Sequence, residues 1–143
     1  MAVDEAHDRP PTVAVVVAAH GSRAEAANRA HRVIVDGLDA RIGPPATPAF
    51  LELAEPSIPA GIDAAVADGA RTVLVLPYFL HPGRHLSDDL PAIVADAVAR
   101  HPGCRIRLLG SFGSDPALLD ILAAQVDASL VEPPAGGAEP PAS

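Results

Sequence analysis

The chain has 143 residues, 49% of them apolar, and a formal net charge of −8 with no lysine. That length suits one domain with a core of its own. The acidity speaks against a nucleic-acid surface, and the single cysteine, Cys104, excludes a disulfide framework. No apolar signal core opens the chain and no run approaches membrane-spanning length, so the expectation is a cytoplasmic protein with no membrane partner.

Residues 1–11 are polar and end in Pro10-Pro11, which predicts a disordered tail. Val13-Ala14-Val15-Val16-Val17-Ala18 then reads as a buried parallel strand. It runs directly into Ala19-His20-Gly21-Ser22-Arg23, where Gly21 permits a tight turn and Ser22 with Glu25 reads as a capping box. The helix expected over 23 to about 41 would turn Ala27, Ala30, Ile34 and Leu38 inward. A short strand is expected over 48–53, with Glu52 at its end. Ser57 should cap a helix to about Asp68, with Ile58, Ile62, Ala65 and Val66 inward and Gly69 as the stop. A third strand over 72–76 closes at Pro77. Ser87 is expected to cap a helix to about His101, with Pro91 and the charges Asp88 and Asp89 in its first turn. A fourth strand over 105–110 and a helix opened by Ser114-Asp115-Pro116 complete the pattern. Residues 132–143 are Pro, Ala and Gly with little to bury, a second disordered tail.

Strands alternating with helices of this length imply right-handed crossovers. The expected fold is α/β, a four-stranded parallel sheet sandwiched between helices in a flavodoxin-like three-layer domain over 12–131. In such a sheet all carboxyl ends share one edge, where open α/β folds place ligand chemistry. That edge would gather His20, Glu52, the loop from Tyr78 through His81, Arg84 and His85, and Phe112. Neutral imidazoles beside a carboxylate make an open site for a first-row divalent metal. Each residue also has a plainer reading: His20 as a turn residue, Glu52 as a solvent-facing strand residue, His81 and His85 as loop polars. Phe79 reads as core, Cys104 as an unremarkable small residue, and His7, His31 and His101 carry no assigned role. Neither a Gly-x-x-x-x-Gly-Lys phosphate loop nor a dinucleotide turn occurs, so no nucleotide cofactor is expected.

Four segments in order resemble the sirohydrochlorin chelatase family, the small type II chelatases called CbiX or SirB. They are Ala19-His20-Gly21-Ser22-Arg23, the run from Phe50 to Ser57, Gly83-x-His85 with Asp89-Leu90-Pro91, and Gly113-Ser114-Asp115-Pro116. The resemblance implies an ATP-independent lyase that inserts Co²⁺, Fe²⁺ or sometimes Ni²⁺, its metal substrate, into sirohydrochlorin or a related tetrapyrrole in cobalamin or siroheme biosynthesis. It carries metal binding onto His20 and His85 and the active-site glutamate onto Glu52. Family chains are double-length or act as homodimers, so a homodimer is implied here. His81 departs from the family pattern and is a candidate third ligand.

In the mechanism this suggests, His20 and His85 hold the metal, the macrocycle nitrogens displace them, and Glu52 or a histidine takes the released protons. Ser22, Arg23 and Arg84 would meet the substrate's polar groups, and Tyr78 and Phe112 its ring. One alternative is a non-catalytic metal-binding or metal-delivery protein of the same fold; another is a chelatase for a different ligand. A phosphoryl hydrolase is disfavoured because Ala19, not arginine, precedes His20.

Overall fold

Strand β1, Val13–Ala19, is an inner strand of the sheet: five successive residues, Ala14 to Ala18, are buried. A strand covered on both faces cannot alternate polar and apolar side chains, which is why this segment is continuously small and β-branched. The structure, a computed structural model, describes residues 12–81 and 83–131, and residues 84–86 by backbone alone. The two tails expected at 1–11 and 132–143 lie outside the described residues, as do Pro82 and the side chains of Arg84 and His85.

The remaining elements are α1 (Glu25–Asp39), β2 (Ala46–Phe50), α2 (Ile58–Ala67), β3 (Thr72–Pro77), α3 (Arg84–Arg100), β4 (Arg105–Leu108) and α4 (Pro116–Val131). The sheet is parallel throughout, in the order β2-β1-β3-β4. One face packs Val16, Ala18, Ala49, Val73, Val75 and Ile106 against Ile58 and Ile62 of α2 and Leu90, Val94 and Ala97 of α3. The other packs Val15, Val17 and Ala46 against Val35, with Leu38 partly buried beside them. Each fully buried Val, Ile or Phe contributes roughly 1.5–3 kcal/mol. The three-layer α/β expectation holds. Phe79 is partly buried against the first face, as expected, and Cys104 is partly buried there too. The chain groups into two units, Met1–Phe112 and Gly113–Ser143. The second contains α4, whose first turn is capped by Asp115 Oδ1 accepting the Ala117 N–H at 2.8 Å, and none of whose residues is buried.

Several boundaries differ from expectation. Strand β2 starts earlier and ends at Phe50, so Glu52 lies two residues beyond it. Its outward edge offers no free N–H: the Ala46 N–H donates to Asp39 Oδ1 (2.8 Å), Pro48 has no N–H, and the Phe50 N–H donates to the Pro56 carbonyl (2.9 Å). Helix α3 begins at Arg84, because Gly83 is extended and its carbonyl accepts the Ser87 N–H at 3.0 Å. Ser87 is therefore inside the helix, Pro91 sits in its interior, and Asp88 and Asp89 fall beyond the first turn. Val98 is exposed, although the helical spacing of Leu90, Ile93, Val94, Ala97 and Val98 predicts all five on one inward face. Ser57 does cap α2, accepting the Ala60 N–H at 3.2 Å.

The largest correction concerns α1. Its cap residue is Ala24 and no capping box forms; Ser22 Oγ instead accepts the Ala24 N–H at 3.1 Å. The buried positions are Asn28, His31 and Val35, while Ile34 is exposed. The inward face is thus turned by one residue from the apolar one expected. Two polar side chains face the sheet because the strand ends and the loop beside them supply their partners.

Candidate metal site at the strand ends

Strand order reverses between β1 and β3, the point where a parallel sheet opens a crevice at its carboxyl edge. His20 follows β1 directly, and the Tyr78 N–H, just past β3, donates to the Ala18 carbonyl at 2.8 Å. On the other side the β1–β2 ladder runs on past the strands. The Leu51 N–H donates to Ala19 O (2.8 Å) and the Glu52 N–H to His20 O (3.1 Å). This extension brings two sequence-distant residues side by side. Leu53, at φ +65°, then turns the chain away.

Gly21 makes the approach possible. It has φ +93°, and a Cβ there would lie 1.8 Å from the Glu52 carbonyl oxygen. With that carbonyl admitted, His20 Nε2 and Glu52 Oε1 stand 3.1 Å apart, both side chains more than half exposed at 54% and 56%. Donor atoms bound about 2.1 Å from one metal at right angles are roughly 3 Å apart. A neutral imidazole and a carboxylate at this spacing can share a divalent ion. At the same spacing the carboxylate oxygen can accept a hydrogen bond from a ring N–H. Among the described residues no cluster of three or more His, Cys, Asp or Glu completes a metal site.

The other expected site residues are distributed around this pair. His85 is in the first turn of α3, the helix that follows the β3 loop; its side chain and that of Arg84 lie outside the described residues. His81 and Arg23 are exposed, and Ser22 is half-buried. The Tyr78 ring, 39% exposed, lies 5.5 Å from the half-buried Phe112 ring and 5.5 Å from His31. Two of the expected ring-contacting side chains therefore form one aromatic surface at the end of β3. A cavity of about 490 Å³ lies elsewhere, among Pro45, Thr47, Pro48 and the small residues of α2. Among the described residues its one ionisable lining side chain is Asp68, and metal chemistry has little to use there.

Three residues behind the site escaped the sequence reading. Asn28, 3% exposed, accepts the Ser22 N–H on Oδ1 (2.9 Å) and donates from Nδ2 to the Ser22 carbonyl (2.8 Å). His31, 5% exposed, donates from Nε2 to the Val17 carbonyl (3.0 Å) and packs edge-on to Phe50, with centroids 5.3 Å apart. Burial holds its pKa below the usual histidine value, against the raising effect of the Val17 carbonyl, and Arg32 lowers it further. Its Nδ1 is buried and has no hydrogen-bond partner among the described residues. Arg32 lies over the Phe50 ring at 5.1 Å and donates to the Glu55 carbonyl at 3.3 Å. The spacing 28, 31, 35, 38 is itself helical. Allowing polar residues on the inward face would have found the first two.

The family model CbiX matches residues 14–129. The chloroplastic sirohydrochlorin ferrochelatase of Arabidopsis thaliana is 36% identical over 109 residues, 76% of this chain and 48% of that protein. Among solved structures, a cobalamin (vitamin B12) biosynthesis CbiX protein from Marinobacter aquaeolei VT8 superimposes with TM-score 0.73 at 31% identity, covering 82% of this chain and 97% of that one. The sirohydrochlorin chelatase SirB from Bacillus subtilis subspecies spizizenii, in complex with cobalt, gives 0.75 at 29%, covering 82% and 51%. The chain spans about half the length of the first curated relatives it matches.

Proposed function

Because the chain belongs to the CbiX family, we propose that it inserts a divalent metal, Co²⁺ or Fe²⁺, into sirohydrochlorin or a closely related tetrapyrrole without a nucleotide. The observation that carries this reading is the exposed His20–Glu52 pair at the switch point of the sheet. The relatives' names supply the substrate class, one a sirohydrochlorin ferrochelatase and another a chelatase held with cobalt.

The metal is taken up by His20 and His85, with Glu52 beside them and His81 as a further ligand. Such a site is incomplete by design, since the ion must leave it. As the macrocycle docks, two of its inner N–H groups lose their protons and four nitrogens take the metal. The balance is one M²⁺ consumed and two H⁺ released. Glu52, 3.1 Å from the imidazole and exposed, receives one proton, a histidine that has given up the metal receives the other, and both pass to solvent. Tyr78 and Phe112 border the ring, and Ser22, Arg23 and Arg84 meet its carboxylates.

One four-stranded sheet covers one wall of a macrocycle-sized cleft, and relatives of about twice the length carry more chain. The second wall is assigned to another copy, so the active form is a homodimer of the domain at 12–131, in the cytoplasm, with no nucleic-acid or membrane partner. Among the described residues no helix is long and apolar enough to cross a membrane. Metal capture is tested by calorimetric titration of Co²⁺ into wild type, His20→Ala and His85→Ala. Each variant should lose most of the affinity while keeping its circular dichroism; wild-type affinity in both would remove the ligand assignment.

A further inference from the structure

The two loops that carry His20 and Glu52 are not held by the sheet alone. Both are tied to one stripe of α1. Asn28 grips the first loop with reciprocal bonds to the N–H and carbonyl of Ser22, two residues past His20. Arg32, one turn on, grips the second through the Glu55 carbonyl and the face of Phe50. A single carboxylate joins them: Glu25 Oε1 accepts from Arg32 Nη1 at 2.8 Å and Oε2 from Asn28 Nδ2 at 3.3 Å.

We propose that Glu25, Asn28 and Arg32 form a positioning network that fixes the separation of His20 and Glu52, a reading that rests on their role as the metal-handling pair. Stability alone does not account for the arrangement. The Glu25 and Arg32 side chains are 61% and 35% exposed, and an ion pair so placed adds little to folding. Its geometric effect is larger. The guanidinium fork has separate donors for the carboxylate and the loop carbonyl, so the loop's place is set by a rigid planar group. The residues between Glu52 and Pro56 lack strand pairing of their own, and Leu53 holds a positive φ. Arg32 is the described side-chain tie on this segment from α1. A site that must first bind and then release a metal needs its two ligating loops held at one spacing, since small displacements of reacting groups are costly.

The test compares wild type, Asn28→Ala, Arg32→Met and the remote Asp63→Ala. Asp63 pairs with Arg100 and His101 away from these loops, so its variant controls for general loss of stability. Two quantities are read: hydrogen exchange of the Glu52 amide in the metal-free protein, and Co²⁺ affinity with the visible cobalt absorption band. In Asn28→Ala and Arg32→Met the amide, which donates to His20 O, should exchange about tenfold faster. Cobalt should bind about tenfold more weakly with a shifted band, and Asp63→Ala should show neither change. Unaltered exchange and cobalt binding in both network variants would overturn the inference, as would equal changes in Asp63→Ala. Wild type that takes up no cobalt would instead remove the metal-handling reading, and the exchange result would still decide whether the network holds the loops.

Discussion

Gly21 and Glu52 show how a site can depend on an atom that is missing. The Glu52 carbonyl occupies the space a side chain at residue 21 would need, and the backbone there is left-handed at φ +93°. Gly21→Ala should therefore cost about 2 kcal/mol or more in urea denaturation, combining overlap with backbone strain. A loss under about 0.5 kcal/mol would mean that the loop relaxes freely. Glu52→Gln keeps the shape but removes the charge and the proton acceptor. The expected outcome is metallation slowed about 100-fold with macrocycle docking little changed, read as separate effects on kcat and KM. An unaltered kcat would return Glu52 to a surface role. His20 and Glu52 were both legible as candidates because each interrupts or ends an apolar run. Their 3.1 Å contact was not, since it depends on a ladder that continues past the strands.

Helix α1 illustrates what apolar periodicity misses. Ala27, Ala30 and Ile34 suggested a face, yet Asn28, His31 and Val35 are the buried ones. Asn28 bonds both backbone groups of Ser22 and the His31 ring donates to the Val17 carbonyl, a polar duty that an apolar pattern does not reveal. Elements without that duty were read more accurately: α2 has its Ser57 cap and its buried Ile58 and Ile62 as the pattern implied. His31 also gives α1 a pH signature. Its folded pKa is depressed by burial, so below the ordinary value of 6.5 the unfolded chain binds a proton that the folded chain does not. Its contribution to stability is complete above about pH 6.5 and declines as pH falls towards the folded value. Denaturation midpoints measured from pH 7.5 downward should show this slope in wild type and lack it in His31→Gln. Equal slopes in the two proteins would place the acid sensitivity elsewhere. Asp63 adds a separate effect at lower pH. Hydrogen bonds from His101 and then Arg100 lower its pKa, so its share is present above the usual carboxylate range and lost below it.

For the molecule as a whole, the order β2-β1-β3-β4 matters more than any one boundary. Strand and helix alternation was enough to predict a parallel sheet and which loops share its carboxyl edge, because crossovers are right-handed and strand ends point one way. Helix starts were less legible: Gly83 opens α3 through backbone geometry, whereas Ser87 carried the sequence signal. At this scale the expectation is a pair of 14.6 kDa copies, with the mass of two chains by light scattering at working concentration and a single-chain mass as the contrary result. The most direct measurement is sirohydrochlorin absorbance followed in anaerobic solution after addition of Co²⁺ or Fe²⁺, with and without the purified protein. Metallation faster than the spontaneous reaction, and reduced to near that rate by His20→Ala, is the predicted result. Metallation at the spontaneous rate with either metal, in wild-type protein shown to be folded, would contradict it.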